Sequence, residues 1–407
     1  MKTLIINIDH LWGILPRTVK RLQGGEMSQV ETLRNAWMEI ADGLISAYGE
    51  MPSPANQHFD EVIDARGGSV MPCFCDSHTH IVFAGSREQE FTDKIRGLSY
   101  AEIARRGGGI LNSADLLHEQ PEEELFRQAM QRVEEISVKG TGCVEIKSGY
   151  GLTLEDELKM LRVIRRIQES SKLKVVSTFL GAHAVGRQYQ GRQSEYVDMV
   201  IRDMIPEVGR QQLADYIDVF CDEGFFTPEE TDRMLEAGAK YGLRPKIHAH
   251  ELADSGGVDV GLKRHALSVD HLESMPEHYI ELLKHSDTMP TLLPGTSFFL
   301  NMPYALGRKM INGGLGIALA SDYNPGSTPS GDMKFVMSLA CIKLRLLPEE
   351  AFNGATLNGA YAMGLEHDYG SITVGKKANL IITTPLPSLA YLPYAYTSPF
   401  VSRVILS

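Results

Sequence analysis

Histidine and aspartate side chains recur in this sequence at the ends of short apolar runs. They are His78, His80, His248, His271 and Asp322. Because residues two apart on a β-strand point to the same side, His78 and His80 are expected to face one way. Three or four such donors with an open position are typical of a catalytic metal site. We therefore predict that His78, His80, His248 and Asp322 bind a metal ion.

A histidine at a strand end is usually a hydrogen-bonded structural residue, so each of these donors alone is weak evidence. The whole set indicates chemistry. A divalent ion lowers the pKa of bound water to roughly 7 and so supplies hydroxide at neutral pH. His271 is expected beside the ion, where it would polarise a carbonyl or stabilise an oxyanion. Histidine and aspartate ligands suit zinc and iron alike.

Glu251 comes three residues after His248, where a strand is expected to give way to a loop. A carboxylate there is suited to carry a proton from the attacking water to a leaving nitrogen. His250 complicates this interpretation, because strict alternation places it on the same side as His248. His250 therefore competes as ligand or proton carrier, and His248 is favoured because it comes first at the strand end.

Eight apolar runs that end in polar or glycine-rich turns alternate with longer segments of helical spacing. The runs are 69–80, 142–151, 174–183, 216–224, 244–251, 266–274, 287–295 and 316–326. Short runs rich in Val, Ile and Leu are typical of strands buried on both faces. The alternation predicts an α/β fold, a (β/α)8 TIM barrel over residues 68–359, whose strand ends would carry the donors. Residues 1–67 and 360–407 are predicted to form a small composite β-sandwich.

Composition narrows the class of protein. The chain has 407 residues and a net charge of −12, with Lys and Arg dispersed, which disfavours a nucleic-acid or anionic-membrane partner. Its five cysteines are widely spaced and are expected to be reduced, as suits a cytoplasmic protein. The N-terminal apolar run is too short for a signal sequence, and no run reaches the ~18 apolar residues of a membrane span.

Several longer stretches together resemble the imidazolonepropionase family of the amidohydrolase superfamily. They are 76–91, 177–185, 218–226, 246–251, 292–300 and 321–333. The resemblance covers most of the chain, although its His-x-His and Ser-Asp parts are common to the whole superfamily. It implies hydrolysis of 4-imidazolone-5-propanoate, a small anionic cyclic amide, to N-formimidoyl-L-glutamate. It also implies one zinc or iron ion and a homodimer.

The resemblance also implies roles for matching positions. Arg87 would bind the substrate carboxylate, because a planar guanidinium fits a carboxylate with two hydrogen bonds. The remaining positions would contact other parts of the substrate: Tyr100, Tyr150, His183, Asn324, Gly326 and Ser327. The run 216–224 lacks the lysine that bridges two ions in binuclear relatives, which favours a single ion. His250 departs from the family, which often has an acidic residue there.

Two alternatives stay open at this point. One is a related aminohydrolase that deaminates a nucleobase-like ring with the same metal and Glu251. A neutral base would not need the carboxylate anchor Arg87, and ammonia release would reveal the reaction. The other is a barrel that binds metal or ligand without catalysis. A storage site would be expected to close its coordination shell with more Cys or His ligands.

Overall fold

The computed structural model describes residues 1–54, 58–98, 102 and 108–407, so the predicted pocket residue Tyr100 lies outside the described part. The strands are β1 Lys2–Ile14, β2 Glu31–Ala41, β3 Leu44–Glu50, β4 Glu61–Asp64, β5 Val70–Pro72, β6 Phe74–Thr79, β7 Thr141–Lys147, β8 Lys174–Ala182, β9 Tyr216–Cys221, β10 Arg244–Pro245, β11 Ile247–Ala249, β12 Ser268–His271, β13 Met289–Leu292, β14 Ala318–Leu319, β15 Leu380–Thr383 and β16 Val401–Ile405.

The α-helices carry their own numbering in chain order. They are α1 Glu88–Ile95, α2 Ile110–Glu119, α3 Glu122–Val138, α4 Leu154–Ser170, α5 Gln193–Met199, α6 Ile205–Arg210, α7 Pro228–Ala239, α8 Gly257–Lys263, α9 Tyr279–Lys284, α10 Pro294–Leu300, α11 Gly307–Asn312, α12 Met333–Lys343, α13 Pro348–Ala355, α14 Leu357–Tyr361 and α15 Tyr391–Tyr394. One π-helical turn, Val200–Met204, joins α5 to α6.

Parallel strands form the barrel, and all eight predicted runs contribute to it. The hydrogen-bonded order is β6-β7-β8-β9-β11-β12-β13-β14, with β10 beside β9. A parallel bridge between Thr79 and Tyr323 closes the ring between its first and last strands. Strands β6, β7 and β9 are buried along their whole length, as expected of strands covered on both faces. The prediction of a (β/α)8 barrel is confirmed.

The helices around the barrel follow from ordinary sequence signals. Helix α4 begins after Thr153, whose hydroxyl accepts a hydrogen bond from the backbone N–H of Asp156, as an N-cap should. Three glutamates in the first turn of α3 stabilise that helix, because their negative charges lie at the positive end of its dipole. Helix α7 begins with a Thr227–Glu230 capping box and Pro228 at its first position. These helices cover the outer faces of the barrel strands.

The two ends of the chain share one seven-stranded sheet. Its order is β16-β15-β5-β1-β2-β3, and β4 pairs with β1. The sheet has its own apolar core, which includes Ile5, Ile8, Ile45 and Leu380. Within the segment 370–384 the strand is β15, and the residues before it are irregular apart from isolated bridges such as that between Ile372 and Ile14. The limits of the two predicted domains stay a prediction.

Lys376 accounts for that irregular stretch. Its ammonium group is buried and donates hydrogen bonds to the carbonyl oxygens of Glu366 at 2.6 Å and Tyr369 at 3.1 Å and to the hydroxyl of Ser371 at 2.8 Å. These contacts fold the backbone around the ammonium group in place of a regular strand. In the described part of the chain, no helix has the length and apolar character needed to cross a membrane.

Candidate active site

Side chains from the first and last barrel strands converge at the C-terminal mouth of the barrel. Nε2 of His78 lies 3.2 Å from Nε2 of His80. Oδ1 of Asp322 lies 3.7 Å from the first nitrogen and 3.6 Å from the second. The His248 ring completes the group, with its centroid 4.5 Å from that of His78. The structure therefore brings all four predicted ligands together around one point.

His271 lies next to this group as well. One ring nitrogen each of His78, His248 and His271 fall within 4.8 Å of one another, as do donor atoms of His78, His80 and Asp322. His78 belongs to both sets and so stands at the centre of the cluster. The separate position of His271, between two carboxylates, distinguishes it from the other histidines.

The histidines at the centre are held neutral by their surroundings. Burial, followed by the positive charge of Lys147, holds the pKa of His78 well below its usual range. Burial and neighbouring His183 do the same for the pKa of His80. Nδ1 of His78 lies 2.6 Å from Oδ2 of Asp270, so the proton on Nδ1 faces that carboxylate and Nε2 is left as the donor atom. Metal ligation requires this neutral form of imidazole.

His248 has a comparable partner on the neighbouring strand β9. Oδ1 of Asp218 accepts a hydrogen bond from the backbone N–H of His248 at 3.0 Å. Oδ2 of the same carboxylate lies 2.9 Å from the ring Nδ1 of His248. Although burial opposes its ionisation, His248 and then Lys147 hold the pKa of Asp218 well below its usual range. The carboxylate is therefore an anion that orients the His248 ring.

Two buried lysines connect these carboxylates beneath the histidines. Nζ of Lys147 lies 2.7 Å from Glu145 and 2.8 Å from Asp218, and it lies 3.5 Å from Asp270. Lys246 also pairs with Glu145, and it donates a hydrogen bond to the carbonyl oxygen of Ser77 at 3.2 Å. Buried charges are tolerated when they are paired in this way. Lys147 thus fixes Asp218 and Asp270, the partners of two histidines in the predicted ligand set.

The loop after β14 positions Asp322. Its Oδ2 accepts hydrogen bonds from the hydroxyls of Thr296 at 2.6 Å and Ser327 at 2.9 Å, which leaves Oδ1 directed at the histidines. The backbone of Asp322 lies in the left-handed region with φ of 55°. Such a conformation is costly for a residue other than glycine and is concentrated at functional sites.

Glu251 and His271 form a second, acidic group at the mouth. Oε2 of Glu251 lies 3.6 Å from Nε2 of His271, and Oε2 of Glu273 lies 3.5 Å from Nδ1 of the same ring. Burial raises the pKa of Glu251 to about 8, against the opposing effect of His271. Burial alone would lower the pKa of His271, but Glu251 and Glu273 raise it well above its usual value. The pair therefore holds a proton at neutral pH.

The structure separates His250 from the ligands. Its φ of 54° breaks the strand alternation on which its competing role depended. Nε2 of His250 accepts a hydrogen bond from the backbone N–H of Val258 at 3.3 Å, and the ring lies 5.1 Å from that of Tyr279. His250 thus packs against the start of helix α8.

A cavity of about 750 Å³ opens above the histidines and contains most of the predicted substrate-binding residues. Its lining includes Arg87, Tyr150, His183, Asn324, Gly326 and Ser327. His183 stacks on His80 with ring centroids 5.1 Å apart, and its Nδ1 lies 3.1 Å from the carbonyl oxygen of Gly149. Burial and neighbouring His248 lower the pKa of His183 to about 3. A neutral His183 that donates from Nδ1 presents Nε2 to the cavity as an acceptor.

Asn324 and Ser327 have a structural task in addition to lining the cavity. Oδ1 of Asn324 accepts hydrogen bonds from the backbone N–H groups of Gly326 at 2.7 Å and Ser327 at 2.8 Å. Nδ2 of Asn324 donates to the carbonyl oxygen of Asp322 at 2.7 Å. These bonds hold the loop that carries Asp322 in one shape.

The donor set fits a divalent metal ion. Nε2 of His248 is buried and has no hydrogen-bond partner in the described part of the chain, and the same holds for Nδ1 of His80. Buried polar atoms are rarely left unpaired, so an unpartnered Nε2 directed at other donors points to a missing ligand. Neutral imidazoles and one carboxylate are ligands that zinc and iron both accept.

Sequence reasoning overlooked the residues that hold the ligands. Asp218, Asp270 and Glu145 are charged side chains inside otherwise apolar strand runs, and all three are buried. A charged residue in a strand buried on both faces needs a partner, and this requirement is the signal in the sequence that points to them. Asp222 was overlooked as well, although its carboxylate accepts hydrogen bonds from the backbone N–H groups of Glu251 at 2.7 Å and Leu252 at 2.9 Å.

Comparison with known proteins gives the family. The amidohydrolase family model matches residues 223–402. A protein named imidazolonepropionase from Flavobacterium johnsoniae is 52% identical over 406 residues, covering 100% of this chain and 99% of its own length. Another of that name from Brevibacillus brevis is 42% identical over 387 residues and covers 94% of this chain and 91% of its own.

Solved structures agree with the fold. A triazine hydrolase variant aligns with a TM-score of 0.77 at 15% identity, covering 100% of this chain and 93% of its own. An adenosine deaminase from Xanthomonas campestris with bound zinc aligns with a TM-score of 0.71 at 17% identity, covering 99% and 91% respectively. At such identities the likeness concerns the fold alone. The full-length relatives carry the assignment: this chain belongs to the imidazolonepropionase family of amidohydrolases.

Proposed function

We propose that this protein hydrolyses 4-imidazolone-5-propanoate to N-formimidoyl-L-glutamate, a step of histidine degradation. The proposal is supported by two relatives named imidazolonepropionase, which are 52% and 42% identical to this chain over nearly their whole length. The observation that carries it within the site is the composition of one cavity. The same cavity is lined by His80, His248 and Asp322 of the donor set and by Arg87. This pairing suits a ring carbonyl at one end of the substrate and a carboxylate at the other.

One zinc or iron ion would be held by His78, His80, His248 and Asp322. When bound, such an ion lowers the pKa of water and polarises a carbonyl oxygen. His78 and His248 would bind it through Nε2, because Asp270 and Asp218 face their Nδ1 atoms. The absence of a lysine from β9, where binuclear relatives carry their bridging residue, favours a single ion.

Glu251 is the proton carrier in this proposal. Its carboxylate takes a proton from the water that adds to the ring carbonyl carbon. The same proton then goes to the ring nitrogen as the C–N bond breaks, so the nitrogen leaves as a neutral group. The coupled pair holds a proton at neutral pH; with that proton on His271, the Glu251 carboxylate can accept one from water, and its raised pKa suits it to pass that proton on.

In this proposal His271 is protonated, and its positive charge stabilises the carbonyl oxygen of the substrate during the reaction. As negative charge develops on that oxygen, a protonated His271 donates a hydrogen bond to it. Glu251 and Glu273 keep this histidine protonated by raising its pKa. Arg87 binds the propionate group at the other end, so that binding energy away from the reacting carbon positions it. His183 would accept a hydrogen bond from a ring N–H of the substrate.

Location and assembly are part of the proposal. A cytoplasmic location is consistent with five free cysteines: Cys73, Cys75, Cys143, Cys221 and Cys341. A homodimer follows from the family resemblance and would be measured by light scattering coupled to size-exclusion chromatography.

The decisive experiment incubates the purified protein with 4-imidazolone-5-propanoate and measures N-formimidoyl-L-glutamate, ammonia and metal content on the same sample. We expect stoichiometric N-formimidoyl-L-glutamate, no ammonia and one equivalent of zinc or iron. Ammonia release without ring opening would favour a deaminase instead. Absence of both products in a metal-replete sample would contradict an enzymatic role for this cavity.

The proton-carrying role of Glu251 has its own test. Glu251→Gln keeps the shape of the side chain but removes its basicity, so we expect kcat to fall by at least about 100-fold. Metal content should stay at the wild-type level, because Glu251 is not one of the proposed ligands. Glu119→Gln, at an exposed position on α2, is the matched control and should keep wild-type kcat. Near-normal turnover by metal-loaded Glu251→Gln would show that another group carries the proton.

A further inference from the structure

The lining of the cavity already contains one member of an ion pair, Arg87. Nε and Nη2 of Arg87 donate hydrogen bonds to Oε2 of Glu90 at 2.9 Å and 2.7 Å. The other oxygen of Glu90 accepts hydrogen bonds from the backbone N–H of Gly109 at 3.0 Å and from Nδ2 of Asn112 at 3.3 Å. Glu90 is buried, so it is fixed from both sides. The guanidinium of Arg87 is therefore held in one orientation.

This pairing has an electrostatic consequence for an anionic ligand. Arg87 and Glu90 together carry no net charge. The pair therefore offers a carboxylate an oriented hydrogen-bond donor but little net electrostatic attraction. Glu90 occupies the Nε side of the guanidinium, and Nη1 is left for another acceptor. A buried carboxylate ligand next to this pair would lack a counter-charge, which is costly. The site needs one more positive charge to balance a propionate group.

Lys94 lies one helical turn after Glu90 on α1 and lines the same cavity. Its Nζ is 3.4 Å from the carbonyl oxygen of Gly326 and 5.8 Å from the centre of the Phe299 ring. Arg87 packs against the same glycine, since a Cβ built on Gly326 would lie 2.1 Å from Nη1 of Arg87. The two cationic groups thus flank one residue of the loop.

Lys94 differs from Arg87 in that its ammonium group has no carboxylate partner among the described residues. Among the described residues, no carboxylate lies within ion-pair distance of its Nζ, whereas Arg87 is paired with Glu90. Burial lowers the pKa of Lys94, and nearby Arg87 lowers it further, against the opposing effect of Glu90. A bound anion between the two cations would relieve that repulsion.

We infer that Lys94 is a second binding residue for the substrate carboxylate and supplies the net positive charge that the Arg87–Glu90 pair lacks. Arg87, Glu90 and Lys94 together carry a charge of +1, which matches one propionate group. The inference rests on the proposed function, because it takes the carboxylate of 4-imidazolone-5-propanoate as the ligand. Arg87 then sets the orientation of the carboxylate, and Lys94 strengthens its binding.

The experiment compares Lys94→Met, which keeps the apolar stem, with Lys94→Arg, which keeps the charge. Lys240→Met is the matched control, because Lys240 is exposed just after α7, at the opposite end of the barrel. Each metal-loaded variant is assayed with 4-imidazolone-5-propanoate and with its primary-amide analogue, which has no negative charge. We expect Lys94→Met to raise KM for the carboxylate about tenfold, the effect of losing roughly 1.4 kcal/mol of binding, with kcat within about twofold of wild type.

The amide analogue separates charge from packing. If Lys94 binds the carboxylate, Lys94→Met and wild type should process the amide with equal kcat/KM, and Lys94→Arg should recover most of the lost affinity for the carboxylate. An equal loss with both substrates would mean that Lys94 acts through its packing on Phe299, and the inference would be wrong. An unchanged KM in Lys94→Met would also overturn it while leaving the proposed function intact. If wild type opened neither ring, the proposed function would fail and this inference with it.

Discussion

At the scale of single residues, Gly326 controls the position of another side chain. Its backbone leaves room that the Arg87 guanidinium fills, and a Cβ there would lie 2.1 Å from Nη1 and 2.5 Å from Cζ of Arg87. The clash falls on the end of a side chain and not on backbone, so the fold can absorb it by moving the guanidinium out of its pairing with Glu90. The matching position Gly326 was interpreted from the sequence as a substrate contact. Its packing against Arg87 gives a second reason for a glycine.

Gly326→Ala should therefore damage substrate binding more than stability. We expect KM for 4-imidazolone-5-propanoate to rise about tenfold, the effect of displacing a charge-assisted hydrogen bond, while the thermal midpoint changes by a few degrees at most. Steady-state kinetics and calorimetry measure the two effects. Gly25→Ala is the control, because a Cβ on Gly25 meets no atom within 4 Å. A wild-type KM in Gly326→Ala would show that Arg87 does not depend on this space.

Residue types and spacing were enough to predict the cluster of histidine and aspartate side chains but not the residues that support it. The four residues stand at the C-terminal ends of strands, and in a (β/α)8 barrel these ends meet at one face. They are His78, His80, His248 and Asp322. Which histidine of the pair His248 and His250 faces the site depends on a single backbone angle, the φ of 54° at His250. Alternation along a strand cannot foresee where the strand stops, so that choice rested on order along the chain.

At the scale of elements, the barrel strands and the residues just after them supply both the proposed ligands and the groups that orient them. Strand β12 carries Asp270 two residues after Ser268, whose hydroxyl donates to Oδ1 of Asp270 at 2.5 Å, while Oδ2 faces His78 on β6. The element order was predictable because each strand is a short apolar run followed by a helix. The cross-strand pairs between Asp270, His78 and Lys147 were not, because they join residues far apart in sequence.

Asp270→Asn tests this support without changing the size of the side chain. A neutral amide makes His78 a weaker electron donor, so we expect metal affinity to fall about 10- to 100-fold. Competition with a chromophoric chelator measures that affinity independently of activity. Asp287→Asn is the control, since Asp287 is exposed and precedes β13 at the other end of the barrel. Unchanged affinity in Asp270→Asn would mean that the His78 ring is oriented by packing alone.

At the scale of the whole molecule, a bound ion should stabilise the barrel itself. An ion held at about 1,000 times its dissociation constant adds about 4 kcal/mol to the free energy of unfolding. For a chain of this size that corresponds to roughly 5 °C in the thermal midpoint. We therefore expect a chelator to lower the midpoint by that order and added zinc or iron to restore it. An equal midpoint with and without metal would contradict ligation by the folded barrel.

The closure of the barrel determines when, during synthesis of the chain, the proposed metal site can be assembled. The backbone N–H of Asp322 donates to the carbonyl oxygen of His78 at 3.0 Å, and that of His80 donates to Tyr323 at 2.9 Å. The ligands nearest the start of the chain thus meet the last one only across this seam. On the ribosome, a nascent chain that has not reached residue 322 lacks the aspartate of the proposed coordination shell. With the proposed ligand set, loading with an ion would accordingly follow translation of the barrel up to Asp322 and closure of the ring.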